Sequence, residues 1–351
     1  MKALILKEYN NLVYEDVPEP QIAPDEVLVQ VKACGICGSD VHGVDGSTGR
    51  RLPPIIMGHE AAGVIAEVGS DVSGWQTGDR VTFDITVFCG RCFFCRRGLV
   101  NLCDNLRIVG VSTPEFRLHG AFAEYVAIPH QILYRLPESL PFERAAMMEA
   151  VSVAAHAIER TPLSLHDTAL VVGSGMIGLL IIQLLRIAGC GQIIAVDLEH
   201  ERLDKARSLG ADVGLQSGVD DVPAEVRRRT ENRGADIAFE VVGITPTVQM
   251  AVASLRKGGS LTQIGNLSQT VEFPLQELVV RQLSVFGTTN ATGESEACLE
   301  MMASGAVDVD TLISAVAPLA EGVSWFERLR EGETGLMKVI LVPAADLPES
   351  G

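Results

Sequence analysis

The stretch Thr168-Ala169-Leu170-Val171-Val172-Gly173-Ser174-Gly175-Met176-Ile177-Gly178 decides how this chain is read. Its first five residues carry no charge and run into two valines, the pattern of a short buried strand. A G-x-G-x-x-G turn follows, and residues 176–188 then read as a buried helix. Between a strand and a helix each glycine has a physical task. Gly173 permits the tight turn, Gly175 lets the backbone approach a pyrophosphate, and Gly178 lets the helix pack close to the strand. The N–H groups that open the helix, at Met176 and Ile177, face the same phosphates. Taken alone, the motif also fits a glycine-rich turn of an unrelated α/β fold. Asp197 strengthens the dinucleotide reading, because it closes the next apolar strand. A carboxylate there accepts hydrogen bonds from both adenine-ribose hydroxyls and repels a 2′-phosphate, so NAD is expected over NADP. Asp197 is equally placed to cap the helix expected at 199–209, and the two roles are compatible.

Downstream, strands at 192–196, 235–242 and 260–264 alternate with helices at 199–209 and 247–255. Repeated β-α-β with nearly continuous apolar strands implies a parallel sheet covered on both faces. Upstream the texture differs. Short strands at 26–32, 63–69 and 78–83, separated by Gly and Pro, indicate a compact, mainly antiparallel β domain. A helical apolar pattern at 143–159 marks the change. The chain ends with a helical stretch at 294–304 and an apolar strand at 338–342, which is expected to return to the first domain.

The 351 residues allow two domains with separate cores. A net charge of −17 repels a phosphate backbone, which argues against nucleic acid as a partner. The longest apolar stretch, 169–185, is broken by glycines, a serine and a glutamine, so no membrane span is expected. The opening apolar run, Met1 to Leu6, is too short for a signal peptide, and a cytoplasmic location is expected.

Six of the 8 cysteines fall at 34, 37, 89, 92, 95 and 103. In a reducing compartment such clustering holds metal more often than disulfides. Cys89, Cys92, Cys95 and Cys103 form a C-x2-C-x2-C-x7-C run, four thiolates for a closed tetrahedral zinc with no place for substrate. Two disulfides conflict with the missing signal peptide, and the familiar iron–sulfur spacings differ from this run. A second constellation is Cys34-Gly35-Ile36-Cys37-Gly38-Ser39-Asp40-Val41-His42 followed by Gly58-His59-Glu60. A thiolate, an imidazole and a carboxylate make an open zinc site, with a position left for water or substrate.

With these motifs in this order the chain resembles the zinc-containing medium-chain alcohol dehydrogenases, most of all the sorbitol and galactitol-phosphate polyol dehydrogenases. The resemblance runs from Met1 to about Val342. It implies a GroES-like β-rich catalytic domain, residues 1–152 and 290–351, and a Rossmann doubly wound parallel-sheet NAD domain, 153–289, with the active site in the cleft between them. It implies two zinc ions per chain, one catalytic and one structural. Cys37 and His59 are the expected catalytic ligands, Cys34 a buried neighbour, and Asp40 the carboxylate that orients His59. Glu60 is expected as a direct ligand or as a carboxylate able to swing onto the metal. Relatives draw a further ligand from the segment written here Met148-Glu149-Ala150, where polyol dehydrogenases commonly show Glu-Pro; this chain keeps Glu149 and lacks the proline. Ser39 and His42 stand where alcohol dehydrogenases keep a proton relay, and Glu60 and Glu149 offer a second route. The resemblance adds Arg202, Val242 and Gly265 to the cofactor contacts.

The expected reaction is hydride transfer from a secondary alcohol of a polyol, or of its phosphate, to NAD, giving the ketone. L-threonine 3-dehydrogenase and butanediol dehydrogenase are the neighbouring alternatives, and a non-catalytic NAD-binding sensor is the alternative of another class. Arg50 and Arg51 read either as a solvated pair or as a grip on a substrate phosphate. Relatives form homodimers or homotetramers, and a homo-oligomer is expected.

Overall fold

A computed structural model describes residues 1–112 and 118–343 of the chain. The last eight residues of the expected catalytic domain, 344–351, therefore lie outside the described residues. The chain divides into two compact units. One contains Met1–Glu149, Ala291–Gly305 and the described residues from Val309 onward; the other contains Ala150–Asn290 and Ala306–Asp308.

The first unit is organised around the strand Glu26–Gly35, most of whose residues are buried. It is buried because it has neighbours on every side. It pairs antiparallel with Glu60–Val68, with Tyr125–Pro129 and with the returning strand Lys338–Val342. Arg80–Phe83 and Leu133–Arg135 extend the sheet on one side, and Ile313–Pro318 closes the other through a parallel pairing with Lys338–Val342. A separate three-stranded sheet joins Asn11–Asp16, Lys2–Glu8 and Ile55–Ile56. The two sheets share a core that includes Leu4, Val29, Ile65, Phe83, Phe122 and Leu341.

The register at the end of the central strand builds the site. Gly35 lies opposite Glu60 on one flank and Ile340 on the other. A Cβ at Gly35 would stand 2.3 Å from Glu60 Oε2, so only glycine leaves the carboxylate its place.

The second unit contains a six-stranded sheet in which every pairing is parallel. Across the sheet its strands are Val213–Gln216, Gln192–Asp197, Thr168–Val172, Ala235–Glu240, Leu255–Gln263 and Ser284–Gly287. In chain order this is third, second, first, fourth, fifth, sixth, the doubly wound order whose direction of winding reverses between Thr168–Val172 and Ala235–Glu240. Ligands of such sheets bind beyond the strand ends at that reversal, which is where Gly173–Gly178 sits. The strand expected at 235–242 stops at Glu240, because Val242 and Gly243 donate their N–H groups to the Glu240 carboxylate at 3.0 and 2.9 Å instead of continuing the ladder. The helix expected at 143–159 is two, Phe142–Ala145 and Met148–Glu159. Between them the Met147 N–H reaches back only to Arg144 O, a bond that tightens the turn.

Candidate active site

Cys37 leaves the central strand and opens the short helix Gly38–Val41. His59 and Glu60 come from the turn into the neighbouring strand. One ligand atom from each of Cys37, His59 and Glu60 falls within 4.8 Å of the other two. A sulfur, a ring nitrogen and a carboxylate oxygen so close suit a borderline-soft dication such as zinc, and the donor set fits. Cys34 is buried, and its burial, with the nearby carboxylates of Asp40 and Glu60, pushes its thiol pKa well up, which leaves it a neutral neighbour.

One buried carboxylate, Asp40, flanks the cluster and another, Glu60, belongs to it, and each has its own cation. Asp40 Oδ1 lies 2.8 Å from Arg51 Nη2 and 3.3 Å from His59 Nδ1. Burial works against the Asp40 anion, but His59 and Arg51 outweigh it and hold the carboxyl well below the usual range. Burial likewise disfavours an imidazolium at His59, while Asp40 and Cys37 pull its pKa well above the ordinary value. Glu60 pairs through Oε2 with Lys338, whose ammonium also donates to Ile36 O at 3.1 Å. Burial lowers the Lys338 pKa, but Glu60 and Cys37 more than compensate, so the lysine stays charged. Lys338, 2% exposed and paired with Glu60, is a member of this buried group that the sequence analysis did not include. The signal was a single charge in the otherwise apolar run Lys338–Val342, where burial demands a partner.

Glu149 stands outside the close group of Cys37, His59 and Glu60. It opens the helix Met148–Glu159. Desolvation pushes its carboxyl up to about 7; His59 opposes that rise and Glu60 adds to it. Ser39 donates to Cys37 Sγ at 3.3 Å. His42 is exposed, and its backbone oxygen accepts from Ser47 Oγ. Arg51 corrects the reading of the arginine pair, because it is buried and tied to Asp40, neither solvated nor available to a substrate anion.

The four-cysteine lobe is closed at its base by the two-residue strands Thr86–Val87 and Arg107–Ile108. The sulfurs of Cys89, Cys92, Cys95 and Cys103 all fall within 4.8 Å of one another. All four are free thiols, and Cys92 Sγ lies 3.4 Å from Cys95 Sγ, far beyond a disulfide bond of about 2.05 Å. Backbone N–H groups of Cys89, Cys95 and Asn105 point at sulfur from 3.3 to 3.4 Å. The N–H of Arg91 leads the lowering of the Cys89 thiol to about 6. Amides aimed at sulfur stabilise thiolates, and the donors fit a closed tetrathiolate zinc.

At the glycine turn a Cβ on Gly178 would stand 1.9 Å from Gly173 O, so close packing there admits only glycine. Around Gly175 nothing lies within 4 Å of a Cβ position, leaving open the space a pyrophosphate takes. Asp197 accepts from Ser174 N at 2.7 Å and Glu199 N at 3.1 Å. It thus braces the turn and the residue before the next helix, but Glu199 is the N-cap of His200–Ser208 and no side chain caps that helix, so the expected capping role of Asp197 is corrected. Arg202 pairs with Glu199 at 3.2 Å and approaches Asp197 at 3.9 Å. Val242 and Gly265 meet across the ends of neighbouring strands, where a Cβ on Gly265 would stand 2.3 Å from Val242 backbone.

Among the described residues no helix is long and apolar enough to cross a membrane. Residues 23–138 match the family model described as the alcohol dehydrogenase GroES-like domain, and residues 177–304 match the one described as zinc-binding dehydrogenase. The chain is 35% identical over 348 residues to a sorbitol dehydrogenase of Bacillus subtilis (strain 168), covering 98% of this chain and 97% of that protein. Among solved structures it superposes on a zinc-binding dehydrogenase of Sinorhizobium meliloti 1021 bound to NADP, with TM-score 0.90, 30% identity and coverage of 97% and 99% of the two chains. Galactitol-1-phosphate dehydrogenase of Escherichia coli gives TM-score 0.90 at 26% identity, covering 98% of this chain and 100% of that one. With these matches spanning nearly the whole chain, it belongs to the zinc-dependent medium-chain dehydrogenases of the polyol dehydrogenase family.

Proposed function

We propose that this enzyme oxidises a secondary hydroxyl of a small, unphosphorylated polyol to the ketone, with NAD as the hydride acceptor. The observation that carries the reading is the convergence of Cys37, His59 and Glu60 within 4.8 Å. Zinc bound by these residues supplies Lewis acidity toward the substrate hydroxyl, and the nicotinamide supplies the hydride acceptor. The chain's own work is to hold the ligands and to take the hydroxyl proton. Glu149, a buried carboxyl that desolvation raises in the metal-free protein, is the group we assign to take that proton. Ser39, whose hydroxyl is directed at Cys37, and the exposed His42 form the less favoured route.

The sorbitol dehydrogenase relative supports a polyol substrate. With Arg51 committed to Asp40, the loop offers only the exposed Arg50 to a phosphate, which favours the free polyol. Asp197 favours NAD, although the Sinorhizobium relative was determined with NADP. Leu275, Val279 and Val280, 65% to 79% exposed, and Val285 lie on the helix and edge strand that end the parallel sheet. An apolar face beside an open strand edge supports a homo-oligomer, dimer or tetramer. Eight free thiols suit the reducing cytoplasm.

The test is a panel of sorbitol, xylitol, galactitol, galactitol 1-phosphate, 2,3-butanediol and L-threonine with zinc-loaded enzyme and either cofactor. A free polyol with NAD should give the highest kcat/KM. Absence of turnover across the panel, or a preference for L-threonine or for NADP, would overturn the proposal.

A further inference from the structure

The loop arginine Arg51 lies 11 residues beyond Asp40, is 2% exposed, and sends its stem past Gly43, where a Cβ would stand 2.5 Å from Arg51 Cγ. The chain has made room for this side chain, although burying an arginine is unfavourable for folding alone. Its Nε has no hydrogen-bond partner among the described residues, a further cost. What the burial achieves lies at the other end of the guanidinium. Nη2 donates to Asp40 Oδ1 at 2.8 Å and faces Ser39 Oγ at 3.4 Å. Asp40 Oδ1 stands 3.3 Å from His59 Nδ1, and Ser39 donates to Cys37 Sγ at 3.3 Å. Asp40 Oδ2 also accepts the Cys37 N–H at 3.4 Å.

We propose that Arg51 is a positioning residue shared by two metal-binding side chains, fixing His59 through Asp40 and Cys37 through Ser39 from a single guanidinium nitrogen. This rests on the reading of Cys37 and His59 as ligands. Groups that orient a ligand from behind commonly change metal affinity 10- to 100-fold when removed. Here one removal loosens both ligands together. A lysine ammonium is a point charge on a flexible stem and lacks the planar fork, so it keeps the Asp40 arm and loses the Ser39 arm.

The experiment uses full-length enzyme exchanged with cobalt(II), with the tetrathiolate contribution removed by subtracting the spectrum of Cys37→Ala. The readouts are the thiolate-to-cobalt charge-transfer band and the cobalt dissociation constant from chelator competition, with kcat and KM alongside. Arg51→Met should weaken cobalt binding roughly 10- to 100-fold and shift the band, with Arg51→Lys intermediate. Ser39→Ala and Asp40→Asn should each reproduce part of the effect. Adding Arg51→Met to the Ser39→Ala/Asp40→Asn double variant should change affinity by less than about threefold, since the arms it acts through are gone. An unshifted band and unchanged affinity in Arg51→Met, or full additivity with the double variant, would overturn the proposal. If Arg51→Met does not fold, Arg51→Lys decides it: a band and affinity equal to those of the parent enzyme overturn the shared role. Cys37→Ala that still binds two cobalt ions would instead sink the ligand reading beneath it.

Discussion

The ammonium of Lys338 is paired with the carboxylate of Glu60, 278 residues away in sequence, and both groups are buried. The last described strand thus delivers a counter-charge to a carboxylate whose partner oxygen can face a metal. Removing one member of a buried pair leaves an uncompensated charge, at a typical cost of about 3–5 kcal/mol. Lys338→Met should lower stability by that order in urea melts, and Lys338→Met/Glu60→Gln should recover part of it. A loss under about 1 kcal/mol in the single variant would show that the pair is not energetically coupled.

Asp197 should set cofactor choice. Hydrogen bonds to a charged acceptor contribute roughly 1.5–3 kcal/mol, so Asp197→Ser should weaken NAD about 10- to 100-fold while NADP binding is unchanged or improved. Fluorescence titration with both reduced cofactors checks this. An equal loss for both would mean that Asp197 acts only by bracing the turn at Ser174.

Glu149 predicts a pH signature in chelator-treated protein. Its carboxyl rises from 4.5 in the unfolded chain to about 7 in the folded one. Between those values the folded state holds a proton that the unfolded state lacks. Its contribution is full at low pH and is lost as pH rises through that window. Glu149→Gln has nothing to lose there. The stability of the variant relative to the parent should therefore grow from pH 4.5 to about 7 and stay level above. A constant difference across urea melts in this range would contradict the raised value.

The tetrathiolate lobe should bind metal independently of the reactive site. Cys103→Ser should drop zinc from two to one per chain by elemental analysis, lower the melting temperature, and leave NAD titration unchanged. Loss of both ions would argue that the two groups of ligands are not separate sites.

Local spacing made much of this legible. Four cysteines and three glycines act within short loops, so their separation in sequence nearly dictates their separation in space. The apolar strands Thr168–Val172 and Gln192–Asp197 were readable because burial on both faces leaves a continuous apolar run. Strands Val213–Gln216 and Ser284–Gly287 escaped because the edge positions they occupy do not demand that pattern. The helix Val222–Arg229 escaped too, although Asp221 caps it and a proline opens it, because its arginines hide a narrow apolar face. At the site, Cys37, His59 and Glu60 announced themselves by residue type. Arg51 and Lys338 did not, because a charge becomes informative only once its burial is known: that of Lys338 comes from strands distant in sequence, and that of Arg51 from the path of its own loop against Gly43 and Asp40.

The most direct test of the account is the zinc content and turnover of Cys37→Ala beside the parent enzyme. The parent should carry two zinc ions per chain and oxidise a polyol with NAD. The variant should carry one, bind NAD with unchanged affinity, and show no turnover. A variant that keeps both ions, or that still produces reduced cofactor at more than about one per cent of the parent rate (a barrier change under ~3 kcal/mol), would contradict the claim that Cys37 holds the metal on which the chemistry depends.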